Sequence, residues 1–304
     1  MSLVDIVIPT TELNQSLLHL VESLVDVQKK YSSQIWVCLN PSQEYLNNPI
    51  YKKIASQVQL INLSDRGVNR ARQAGLDRSA AKYILFLDAD CLFNNSQSIH
   101  SWLQMFQSEP DLFAVGGYYQ ADRLEMSFFQ KQYFLMQNNW VYSGQLKSGF
   151  CLFLLGGFFM LNRELALKQQ IQFDPEIVFG GSEKEFFIQA YLNKLKVRLT
   201  SDAIVHRYDQ SGWQYIQKTY KQGRGQAYID QKHGDIHFFE NLLHPDSADV
   251  ATGILKWAFW WGYSSYLGNY SLFFKTVFRN NWGKINAVRY QVVSRIKKDL
   301  EKRP

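Results

Sequence analysis

The chain has 304 residues, with 33 Lys and Arg against 27 Asp and Glu, a formal charge of +6. That length supports a sizeable core, and 46% hydrophobic with 20% charged residues excludes a disordered chain or a small stapled scaffold. Aromatic residues are the anomaly, at 15%.

Three cysteines, Cys38, Cys91 and Cys151, form no CxxC pair, which argues against a disulfide framework or a structural zinc site. The stretch Met1-Ser2-Leu3-Val4-Asp5 lacks a basic segment followed by an apolar one. The longest apolar runs, such as Phe150 to Leu161, fall short of the ~18–20 residues that span a bilayer. The expectation is a cytosolic protein with no transmembrane helix.

In chain order, Val4 to Ile8 reads as a strand, followed by Leu17, Leu20, Val21, Leu24 and Val25 at helical spacing. Ile35 to Leu39 and Val58 to Leu63 are the next strands, Asn69 to Ala81 a helix, and Tyr83 to Leu87 a fourth strand that ends abruptly in acid. Phe113 to Tyr118 reads as a strand, about Asp122 to Tyr142 as a helix, and a hydrophobic segment then runs into Gly156-Gly157-Phe158-Phe159-Met160. Ser182 to Lys194 reads as a helix, Val197 to Val205 as a strand ending at His206, and Trp213 to His233 as a helix. This βαβ alternation predicts an α/β fold, a mostly parallel sheet with helices on both faces and ligands at the carboxyl ends of its strands.

The sharpest constellation is Asp88-Ala89-Asp90 at such an end. Alternation places the two carboxylates on one side of an extended segment, spaced to grip a hard divalent cation, or one cation and a ribose hydroxyl. A divalent ion held by one or two carboxylates leaves positions for phosphate oxygens, which points to a nucleotide diphosphate.

The segment from Asp65-Arg66-Gly67-Val68-Asn69 through Arg70-Ala71-Arg72-Gln73-Ala74-Gly75, followed by the strand into Asp88-Ala89-Asp90, resembles the signature of family 2 glycosyltransferases of the GT-A fold. Ile6-Val7-Ile8-Pro9-Thr10 is similar to their first strand and nucleotide loop, and Gly156 to Glu164, Phe173-Asp174-Pro175 and Gly180 to Phe186 follow in the family's order. The resemblance covers about residues 3–225. It implies a Rossmann-like GT-A sheet and transfer of a sugar from a nucleotide diphosphate donor to a hydroxyl with inversion. It also implies donor contacts from Pro9, Thr10, Glu12, Arg72 and Asp88. Asp90 would be a ligand of Mn²⁺ or Mg²⁺, with His206 a second ligand. Where relatives carry an acid after the second strand, this chain has Leu39-Asn40-Pro41-Ser42, so Asn40 is left to read the base. In the run Ser182-Glu183-Lys184-Glu185, Glu183 aligns with the family's general base, Ser182 replaces its acidic neighbour, and Glu185 has capping-box spacing to Ser182. Arg224, between Gly223 and Gly225, resembles a basic segment that closes over the diphosphate.

Composition shifts after about residue 240, giving a catalytic domain over 1–240 and a helical extension over 241–304. Trp257 to Trp282 holds eleven aromatics, and from Lys275 onward nine Lys or Arg face two acids, a net of +7. Aromatics beside a cationic flank fit the surface of an anionic bilayer. A packed helical subdomain or a homodimer interface is the competing expectation, and no recognised motif supports nucleic-acid binding. The acceptor would then be a glycan or lipid-linked hydroxyl in surface polysaccharide or glycolipid synthesis. Two rival functions remain: a nucleotidyltransferase on the same metal site, and a non-catalytic nucleotide-sugar-binding module.

Overall fold

The computed structural model describes residues 2–39, 45–94, 96–122, 126–178, 180–234 and 253–272. Its elements begin β1 (Val4–Thr10), α1 (Gln15–Ser23), α2 (Val25–Tyr31), β2 (Ile35–Leu39), α3 (Pro49–Ile54) and β3 (Val58–Asn62). They continue with α4 (Val68–Arg78), β4 (Tyr83–Leu87), β5 (Cys91–Leu92), α5 (Ser96–Ser108), β6 (Leu112–Ala121) and α6 (Phe128–Ser143). The remainder is β7 (Phe158–Asn162), α7 (Arg163–Lys168), α8 (Ser182–Leu192), β8 (Lys196–His206), α9 (Gly212–Lys232) and α10 (Gly253–Tyr266).

Among the described residues the strands form one sheet in the order β3-β2-β1-β4-β7-β6-β8-β5. The predicted parallel alternation holds for β3, β2, β1 and β4. Beyond β4 the sheet is mixed, because β7 runs antiparallel to both β4 and β6, while β6 and β8 are parallel. Two reversals restore the direction, so β6 and β8 point the same way as β4. The carboxyl ends of β1, β4, β6 and β8 and the start of β7 therefore share one edge.

Helix α6 starts later than its periodicity predicts, because Ser127 caps it. The Ser127 hydroxyl accepts from the Gln130 backbone N–H, and the Gln130 side chain accepts from the Ser127 N–H. The two-residue β5 is too short to leave a pattern in sequence.

The chain divides into two compact units: Met1–Leu124 with Phe150–Val178 and Ser182–Tyr208, and Glu125–Gly149 with Phe179–Gly181 and Asp209–Pro304. The first unit absorbs much of the aromatic excess. Phe86 stacks on Phe159 at 4.7 Å, and Phe173 on Phe186 at 4.0 Å, with Phe187 edge-on to Phe159. Burying each such ring contributes about 1.5–3 kcal/mol, with about 0.5–1.5 kcal/mol more from each ring pair. Two carboxylates in this unit are structural: the buried Asp5 accepts from Trp36 Nε1 and Ser79 Oγ, and the half-buried Asp202 from Trp102 Nε1, Ser98 Oγ and Thr200 Oγ1.

In the second unit α10 packs along α9. Gly223 lies against the backbone of Phe259 and Gly262 against that of Tyr220, and Leu255, Trp260 and Tyr263 are buried. The opposite side of α10 exposes Ile254, Trp257 and Trp261. Among the described residues, no helix is long and apolar enough to cross a membrane.

All three cysteines are free and buried. Burial pushes the Cys38 and Cys151 thiols up to about 12 and the Cys91 thiol well above its ordinary value. An unfolded thiol ionises near pH 8.5, so above that pH the unfolded chain releases protons that the folded chain retains. The stabilisation is thus complete below about pH 8.5 and is lost as pH climbs toward 12. Urea midpoints are expected to fall between pH 8 and pH 10.5, and Cys38→Ala should flatten that decline. An unchanged midpoint would contradict the burial account.

Candidate functional site

The side chains predicted to carry the chemistry come from β4, α4, α8 and β8, which the sheet order brings to one edge. The register of β4 on β7 pairs Leu87 with Phe158, setting the turn Asp88-Ala89-Asp90 beside Gly156-Gly157. The register of β5 on β8 pairs Cys91 with His206.

Arg72 is the centre of the arrangement. On α4 it shares the buried face with Asn69 and Leu76, three and four residues away, and its side chain is 2% exposed. Its Nη1 donates to Glu183 Oε1 at 2.6 Å and its Nη2 to Asp88 Oδ1 at 3.2 Å. Burial works against the guanidinium charge, but the Glu183 and Asp88 carboxylates outweigh it and hold its pKa above the ordinary value. Glu183 reaches this position because Phe186 and Phe187, three and four residues on, are buried and turn that face of α8 inward. A Cβ at Gly156 would overlap Glu183 Oε1 and Arg72 Nη2, so only glycine lets the backbone pass the ion pair.

Asp88 also accepts from the Tyr119 hydroxyl, at 3.0 Å from Oδ2. That hydroxyl accepts from the Gly157 N–H at 3.0 Å. Burial, with Asp88 and Cys91 nearby, pushes the Tyr119 phenol well above its ordinary pKa, so it remains a donor.

Asp90 Oδ1 lies 3.3 Å from His206 Nε2, and the Arg207 N–H donates to the Asp90 carbonyl at 3.0 Å. The His206 ring is buried between Tyr119 and Tyr208, at 4.3 and 4.6 Å between centroids, and its Nδ1 has no hydrogen-bond partner among the described residues. Potential ligand atoms of Asp90, Cys91 and His206 all lie within 4.8 Å of one another. The Cys91 thiol donates to the Gly157 carbonyl at 3.6 Å, which leaves a carboxylate and an imidazole as the donor set. Oxygen with imidazole nitrogen, one nitrogen being buried without a partner, fits Mn²⁺ or Mg²⁺ more readily than a thiophilic ion.

The remaining predicted residues fall as follows. Pro9 is buried in β1 opposite Cys38. Thr10 Oγ1 donates to the Glu12 carbonyl at 2.8 Å, and the exposed Glu12 carboxylate accepts from Asn14, the residue that caps α1. Asn40 lies outside the described residues, as do the side chain of Ser182 and all residues after Leu272. Glu185 is buried and accepts from Gln189 Nε2 at 2.6 Å. Arg224 belongs to the second unit, where its guanidinium carbon lies 6.0 Å from the Tyr266 ring centroid. Sequence reasoning missed Tyr119 and Cys91: an aromatic and a cysteine in apolar runs read as core, and only the two glycines at 156 and 157 hinted at a close approach.

No curated protein matches the chain in sequence. Among solved structures, the mannosyltransferase PcManGT from Pyrobaculum calidifontis, in complex with GDP-Man and Mn²⁺, superposes with a TM-score of 0.59 at 14% identity, covering 99% of this chain and 88% of that one. TarS 1-349 of S. aureus gives a TM-score of 0.54 at 15% identity, covering 95% and 80%. GalNAc-T7 with UDP, GalNAc and Mn²⁺ gives 0.54 at 14%, covering 91% and 56%. At such identities the likeness is one of fold, and it is the GT-A glycosyltransferase fold. The family model described as glycosyl transferase family 2 matches residues 5–168, more than half of the chain. The chain therefore belongs to glycosyl transferase family 2.

Proposed function

We propose that this protein is an inverting, metal-assisted glycosyltransferase that moves a sugar from a nucleotide-diphosphate donor to an acceptor hydroxyl. The observation that carries this reading is the buried Arg72, which ties a carboxylate at the end of β4 to one at the start of α8. One buried cation holding two acids from distant segments aligns a donor-side group with a base. Asp88 then accepts from a donor hydroxyl, and Arg72 acts on the donor through it. Asp90 and His206 are the residues that would hold Mn²⁺ or Mg²⁺. When bound, the cation offsets charge accumulating on the departing diphosphate. Arg72 occupies Glu183 Oε1, and Oε2 remains to take the proton of the acceptor hydroxyl. The acceptor oxygen bonds to the anomeric carbon as that carbon's bond to the diphosphate oxygen breaks, which inverts its configuration.

Incubation with a panel of nucleotide sugars and Mn²⁺ should release nucleoside diphosphate in step with a glycosylated acceptor. Chelation should stop turnover, and added Mn²⁺ should restore it. Release of pyrophosphate instead would identify a nucleotidyltransferase, and failure to bind any sugar nucleotide would end the reading.

We also propose that residues 241–304 seat the enzyme on an anionic bilayer at the cytosolic side, where it would meet a lipid-linked or polysaccharide acceptor. Support comes from the exposed Ile254, Trp257 and Trp261 on one side of α10 and from the net +7 carried from Lys275 onward. Co-sedimentation with phosphatidylserine vesicles should be strong at low salt and weak at high salt. Binding that survives deletion of residues 275–304 would defeat this part.

A further inference from the structure

An aspartate in a turn has two side-chain torsions to fix before it can meet a ligand hydroxyl with a defined lone pair. Asp88 is such a residue, with a 29% exposed side chain in the turn after β4. Arg72 reaches one of its oxygens and Tyr119 the other, so both torsions are held. The geometry points to Tyr119 as the positioning residue that locks Asp88 to the Gly157 turn and to the His206 ring, presetting the donor-binding carboxylate. This rests on the donor role of Asp88 proposed above.

Three contacts support the assignment. The Gly157 N–H occupies a lone pair of the phenol oxygen at 3.0 Å, which directs the phenol hydrogen to Asp88 Oδ2, also at 3.0 Å. Gly157 is itself fixed, since the following N–H of Phe158 donates to the Leu155 carbonyl at 3.0 Å and Phe158 enters β7 opposite Leu87. There is no slack in the junction: a Cβ at Gly157 would lie 2.5 Å from Asp88 Cγ and 2.6 Å from the Tyr119 oxygen. The ring of the same tyrosine lies 4.3 Å from that of His206. One side chain from β6 thus touches the nucleotide-side carboxylate, the glycine turn and the metal-side imidazole.

A tyrosine serving only as core would be replaced by phenylalanine at little functional cost, since the ring supplies the volume. The hydroxyl is what separates the two roles, and Tyr119→Phe removes it while leaving the ring against His206. The protein is titrated with Mn²⁺ alone, followed by electron paramagnetic resonance, and with UDP and GDP in the presence of Mn²⁺, followed by calorimetry. Tyr119→Phe should bind Mn²⁺ within about twofold of wild type, and bind the nucleotide about tenfold more weakly, because a hydrogen bond to a charged group is lost. In an Asp88→Asn background the same substitution should change nucleotide affinity by less than about twofold, since the two residues act as one unit.

Wild-type nucleotide affinity in Tyr119→Phe would overturn the proposal, as would an undiminished loss in the Asp88→Asn background. Loss of a cooperative melt in Tyr119→Phe would also overturn it, by assigning the hydroxyl to the fold. If the wild type binds neither nucleotide, the donor reading of Asp88 fails and the Tyr119 assignment falls with it.

Discussion

Arg72→Ala is expected to lower stability by about 3–5 kcal/mol and to abolish nucleotide binding. The side chain is 2% exposed and faces carboxylates that are themselves mostly buried, at 29% exposure for Asp88 and 19% for Glu183. Removing the cation leaves two acids close together in a region of poor solvation, and each loses a charge-assisted hydrogen bond. They must then separate, take up protons or admit water, and every route disturbs the edge where β4, β7 and α8 meet. Arg72→Lys should recover only part of the loss, because a single ammonium cannot present two nitrogens in the fixed fork that reaches Glu183 and Asp88 at once. Urea denaturation measures the first effect and calorimetric titration with UDP or GDP the second. A variant with wild-type stability would show that the pair contributes nothing net to the fold.

Glu183→Gln is expected to behave in the opposite way. The amide oxygen can still accept from Arg72 and Asp88 keeps the guanidinium paired, so the fold should lose less than in Arg72→Ala and nucleotide binding should persist. The amide cannot take the acceptor proton, and turnover should fall on the order of 10²–10⁴-fold. Measured at saturating donor, the loss should appear in kcat with little change in KM, because the missing interaction belongs to the transition state. Wild-type kcat in this variant would move the base elsewhere. Glu185 would not be its replacement, since it is buried with Gln189 on Oε2.

These two expectations separate what was legible in the sequence from what was not. The strands β1, β2 and β4 were readable because each buries all or nearly all of its five to seven side chains between helical stretches, and β3 because it is a short, mostly apolar run with Val58 its single buried residue. The DxD turn was readable because two acids directly after an apolar strand have no place in a core. Glu183 and Arg72 were nameable from motif position alone, without any sign that they touch. They stand 111 residues apart, and the 2.6 Å contact exists only because α4 and α8 pack at the same edge. Tyr119 carried no signal at all, since it directly follows the strand expected over Phe113 to Tyr118 and reads as one more aromatic beside Tyr118.

The sequence by itself therefore determined the class of fold, the family and which acids are candidates for the site, because local periodicity and short motifs are written over a few residues of backbone geometry. Tertiary structure alone decided three things: the antiparallel insertion of β7, the two-residue β5, and the chain of contacts from Glu183 through Arg72 and Asp88 to Tyr119. The physical reason is that strand order and register are fixed by burial of whole faces against one another. No stretch of a few residues encodes which distant partner will satisfy a buried charge.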